Sequence, residues 1–87
     1  MVVKQWTYKH GDDTILVENT WYAEERLFVN NSLQGKRFSV VGTTLWGGLP
    51  TGEEVRVSIG GMLAAQCFLF VDNKLLQPES CRYRLGW

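Results

Sequence analysis

Eighty-seven residues carry nine Lys+Arg, nine Asp+Glu and one His, a formal net charge of zero at pH 7. That length makes one domain with one core, and the lack of a basic excess argues against nucleic-acid binding, which needs clustered Lys and Arg. The chain has no apolar run of about 18 residues to cross a membrane, and its opening Met-Val-Val-Lys-Gln-Trp-Thr has no apolar signal region, so a cytoplasmic location is expected.

The first predicted element is a strand over residues 2–8, in which Lys4, Trp6 and Tyr8 alternate with Val3, Gln5 and Thr7 to give one aromatic face. Lys9-His10-Gly11-Asp12-Asp13 reads as a turn, with Gly supplying positive φ and Asp supplying side-chain acceptors. Residues 14–22 are rich in β-formers and lack helical spacing, so they form the second strand, which ends in Trp21-Tyr22. A third strand over 26–29 runs into Asn30-Asn31, which suits a type I′ turn because Asn tolerates positive φ. The chain returns from Leu33, with a bulge or kink expected at Gly35-Lys36-Arg37 before Phe38-Ser39-Val40-Val41.

Residues 42–52 hold four of the nine glycines and one of the two prolines, and read as a loop with at most a short strand around 44–46. The clearest strand is 53–59: Val55, Val57 and Ile59 share one face, and Glu54, Arg56 and Ser58 the other. Residues 60–65 hold two glycines and make a connection rather than a helix. Residues 66–71 form a strand with Cys67, Leu69 and Val71 on one face and Phe68 and Phe70 on the other; Asp72-Asn73 is a second tight turn, and the return ends at Pro78. The tail, 79–87, alternates weakly through Tyr83, Leu85 and Trp87, as an added edge strand or a docked arm would.

Two stretches echo each other at a constant offset of 42: Leu27-Phe28-Val29-Asn30-Asn31-Ser32-Leu33 and Leu69-Phe70-Val71-Asp72-Asn73-Lys74-Leu75. Ile15 and Val17 correspond to Val57 and Ile59 at the same offset. Seven to eight short strands with frequent turns and no helix predict an all-β fold, an antiparallel β-sandwich with an internal pseudo-twofold repeat. Its span is 1–78, and 79–87 is the tail.

The order of a Gly/Asp turn, an Ile-x-Val strand, Val29-Asn30-Asn31, Phe38-Ser-Val-Val-Gly42, Val55-x-Val-x-Ile59 with Gly60-Gly61-Met62, and Phe68-Leu-Phe-Val-Asp-Asn-Lys-Leu-Leu76 resembles the β-sandwich domain of the Fas apoptotic inhibitory molecule family. The resemblance covers roughly residues 2–78. It departs from the family pattern in three places. Asn31 and Asn73 stand where the family has a turn Gly, the 46–50 loop has no counterpart, and the 81–87 tail is additional. The resemblance implies a compact, non-enzymatic sandwich used for protein interaction, and it supplies no catalytic residue.

No catalytic set is legible. His10, the single histidine, lies in a predicted turn where a solvated side chain is expected. Cys67 and Cys81 read as a buried strand thiol and a separate tail thiol in a reducing compartment, the alternative being a disulfide that ties down the tail. The spacing of His, Cys and acids fits no metal motif, and adjacent acids such as Asp12-Asp13 and Glu53-Glu54 point to opposite faces of a strand. No cofactor is expected.

What remains is aromatic. Trp21, Tyr22 and Trp46 sit at a strand end or in a loop, as core lids or as contact residues would. Phe68 and Phe70 leave both faces of their strand apolar, so the second face is covered either by the tail or by another subunit. These five residues form the candidate binding surface. The expected function is a non-enzymatic module that binds a protein partner or itself as a homo-oligomer, without nucleic acid or membrane. The alternative is a carbohydrate or small-ligand module that stacks rings on Trp21, Tyr22 and Trp46.

Overall fold

The computed structural model describes residues 2–20, 24–38, 42–60 and 66–85. Nine strands form among them: β1 (Val2–His10), β2 (Asp13–Thr20), β3 (Glu24–Val29), β4 (Ser32–Phe38), β5 (Gly42–Gly48), β6 (Glu54–Gly60), β7 (Gln66–Val71), β8 (Lys74–Leu76) and β9 (Ser80–Leu85). They pair antiparallel in two sheets, one ordered β4-β3-β2-β1-β9 and the other β5-β6-β7-β8. The β-sandwich expected from the alternating pattern is what the chain forms.

Burial follows the period of two. Trp6 and Tyr8 on β1, Ile15 and Val17 on β2, and Leu27 and Val29 on β3 meet Leu45 on β5, Val55, Val57 and Ile59 on β6, and Leu69 and Val71 on β7 in one core. A one-residue slip would turn each of these side chains out to water, so the core fixes the register.

Both tight turns form as their residues dictate. Asn30 and Asn31 have φ of 50° and 68°, and Asp72 and Asn73 have 49° and 66°. Positive φ at both central residues is the mark of a type I′ hairpin. Each turn is clamped to the strand beside it in the same way. The Asn30 amide donates to Thr14 O and its Oδ1 accepts from Thr14 N; the Asp72 amide donates to Glu54 O and its Oδ1 accepts from Glu54 N. Register therefore matches Ile15, opposite Val29, with Val55, opposite Val71, at an offset of 40 on this strand against 42 at the turns. The pairing of Ile15 with Val57 read from sequence is displaced by two residues, which preserves the face.

Three other details differ from expectation or sharpen it. The bulge falls at Gln34: Leu27 pairs with Gly35 and Phe28 with Leu33, leaving Gln34 unmatched. Residues 42–48 are a full strand rather than a loop, paired with β6 along their length. The glycines there permit close approach, since a Cβ on Gly47 would lie 3.1 Å from both Leu27 Cδ2 and Gln34 Cβ. Finally, residues 80–85 are an edge strand on β1, which the chain reaches after Pro78 with the Glu79 amide bonded to Thr7 O. Parts of the predicted strand at 39–41 and of the connection at 61–65 lie outside the described residues.

Candidate functional site on the outer face of the smaller sheet

The four-stranded sheet turns its second face outward, and register assembles a row there. Trp46 on β5 pairs with Arg56 on β6, Arg56 with Phe70 on β7, and Phe70 with Leu75 on β8. The next row runs Thr44, Ser58, Phe68. Trp46, Phe68 and Leu75 are 52%, 48% and 49% exposed, while Phe70 is half-buried. Strand β9, the described part of the tail, lies at the edge of the other sheet and does not cover this face.

Arg56 stands at the centre. Its guanidinium carbon is 4.5 Å from the Phe70 ring centroid and 6.0 Å from that of Trp46. Stacking on ring faces offsets part of the loss of water around the cation, and leaves in-plane N–H groups free to meet an acceptor. Two residues earlier on the same face, Glu54 is exposed. Neither Glu54 nor Arg56 forms an ion pair among the described residues. No family model, curated protein or solved structure matches this chain.

Of the five residues singled out from sequence, Trp46, Phe68 and Phe70 come together on this face. Trp21 and Tyr22 lie outside the described residues, and so does any grouping of them with Trp46. Arg56 and Leu75 were not singled out. The Asp72-Asn73 turn already implies that Phe70 faces Leu75, since a two-residue loop fixes the register. Arg56 had no such signal, because the connection between β6 and β7 does not set their register locally.

The larger sheet is treated differently. One row of its outer face is polar: Gln5 Nε2 donates to Glu18 Oε2 at 2.6 Å, and Arg26 Nη1 lies 3.4 Å from Glu18 Oε1. Arg26 also pairs with Glu24, which reaches Lys36. The buried charge of Glu18 is thus met by a hydrogen bond and a guanidinium. An adjoining row, Leu16, Phe28 and Leu33, is apolar but lacks an exposed aromatic ring.

The other notable titratable groups among the described residues lie away from this face. On the inner face, a row across the five strands runs Tyr83, Lys4, Asn19, Glu25, Arg37. Glu25 is 2% exposed; Asn19 Nδ2 reaches its Oε1 at 3.5 Å, and its Oε2 has no hydrogen-bond partner. Burial pushes its pKa up to about 7. Both thiols are free, with Cys67 partly buried and Cys81 exposed. His10 Nδ1 lies 3.9 Å from Glu53 Oε2, between two turns. Among the described residues, no group of three His, Cys, Asp or Glu could hold a metal.

Proposed function

We propose that this chain is a non-enzymatic protein-interaction module whose contact surface is the outer face of the four-stranded sheet. The supporting observation is the row Trp46, Arg56, Phe70, Leu75, which crosses all four strands with Phe68 beside it and two aromatic rings half exposed. Contiguous apolar surface of this kind has a free-energy cost in water that a partner removes. Trp and Arg are also the side chains that most often carry binding energy at protein interfaces. The resemblance to the Fas apoptotic inhibitory molecule domain points the same way, toward a sandwich that binds proteins.

The test compares two tagged proteins as bait, wild type and a Trp46→Ser/Phe68→Ser variant of matched thermal stability. Each is offered untagged copies of the same chain and, separately, extract of the source cells. The reading expects retention by wild type that is lost with the variant. Equal retention by both baits, or none by either, overturns it.

A further inference from the structure

The outer face of the four-stranded sheet carries two unpaired charges of opposite sign on one strand. Glu54 and Arg56 both point outward from β6, about 6–7 Å apart along it at the usual strand rise. They make no ion pair with each other or with any other described residue. A pair of this kind is complementary to itself. If a twofold axis lies in the plane of the interface and crosses the strands above Val55, the second β6 runs antiparallel over the first. Residue 56 of each copy then faces residue 54 of the other, as an isologous contact requires.

We propose that a second copy of this chain packs on the Trp46, Arg56, Phe70, Leu75 row of this face about that axis, with Arg56 of each copy set against Glu54 of the partner subunit. The proposal rests on the reading of this face as a protein contact surface, and adds the identity of the occupant and its orientation.

Three observations favour it. The alternative axis, parallel to the strands, would set Arg56 against Arg56, and like charges placed together at an interface are strongly unfavourable. Along the chosen axis the row containing Arg56 lies over the row containing Glu54, so the half-exposed indole of Trp46 meets Gly48 of the partner subunit. That position has room, since a Cβ on Gly48 would meet only Glu53 O, at 3.6 Å. Last, a formal net charge of zero leaves little overall repulsion between copies.

The measurement is solution mass by analytical ultracentrifugation over a concentration series, on the full chain and three variants. Wild type is expected to dimerise. Glu54→Arg and Arg56→Glu are each expected to weaken the dimer by at least ~10-fold, since each creates two like-charge contacts. Their combination restores opposite charges and is expected to recover most of the wild-type affinity. Recovery in the double variant, which has also lost the stacked guanidinium, separates charge pairing from loss of ring contacts. If either reversal fails to fold, Glu54→Gln and Arg56→Gln take its place, and equal weakening by both is expected.

A wild-type monomer at all concentrations overturns the proposal. So does a dimer indifferent to the single changes, or a double variant that stays monomeric. If the wild type is monomeric yet retains another protein that the Trp46→Ser/Phe68→Ser bait loses, the contact surface stands and only the second copy is excluded.

Discussion

The Tyr8 hydroxyl donates a hydrogen bond to Cys67 Sγ at 3.2 Å, joining β1 of the larger sheet to β7 of the smaller one. Burial raises the pKa of both groups, and for the Cys67 thiol it outweighs the lowering effect of the Tyr8 bond, pushing it up to about 12. The reactive form of a thiol is its anion, so Cys67 is chemically quiet at neutral pH. Iodoacetamide at pH 8 is expected to modify exposed Cys81 first and Cys67 only when the fold opens, as peptide mass mapping would show. In Tyr8→Phe the loss of one hydrogen bond costs about 0.5–1.5 kcal/mol. Cys67 stays protected in that variant, because burial is the larger cause. Early alkylation of Cys67 in the wild type would contradict this account.

Glu25 gives stability a pH dependence of unusual sign. Its pKa rises from an ordinary 4.5 to about 7 in the fold, through burial. Below pH 4.5 both states hold the proton. Between 4.5 and about 7 the unfolded chain ionises first, so stability falls as pH rises, and the loss is complete above about 7. The size is on the order of 3 kcal/mol. Urea unfolding at pH 5 and pH 8 is expected to show a less stable protein at pH 8. Glu25→Gln is expected to remove most of that difference and to gain most at pH 8.

The hairpin turns are expected to respond alike to substitution. Asn30→Ala removes the side-chain acceptor of Thr14 N and the contact to Asp13, and Asp72→Ala removes the acceptor of Glu54 N. Both also put alanine at a positive φ, of 50° and 49°. Each change is expected to cost about 1–3 kcal/mol, read as a lowered denaturation midpoint at unchanged slope.

Gly47 and Trp46 are adjacent, yet changes there should act on different properties. A Cβ at Gly47 would press on Leu27 and Gln34 at 3.1 Å, so Gly47→Ala overpacks the closed side of the sandwich and is expected to cost about 1–3 kcal/mol. Trp46→Ser removes a ring that points to solvent and should change stability by less than about 0.5 kcal/mol. Thermal melts of the two variants beside the wild type separate the roles. A large loss of stability in Trp46→Ser would mean that the ring supports the fold rather than a contact surface.

Much of the fold was legible locally. Alternation at residues 53–59 placed Val55, Val57 and Ile59 inside and Arg56 outside, and Asn30-Asn31 and Asp72-Asn73 announced their turns. The strand at 42–48 was hidden because its glycines carry the usual signal of a loop. Gly47 serves instead where β5 passes close to Leu27 and Gln34, contacts with residues far earlier in the chain.

The sequence by itself determined most of the strands other than β5, the tight turns and the inward or outward sense of most side chains, because these depend on a residue and its near neighbours. The tertiary structure decided which outward side chains share a row. Trp46, Arg56 and Phe70 are brought together by the pairing of three strands, and no local property of the chain specifies that register. The same pairing turned an unremarked arginine into the centre of the candidate contact face, stacked 4.5 Å from Phe70. Alternation announces an outward residue, but only long-range hydrogen bonding between strands selects its neighbours.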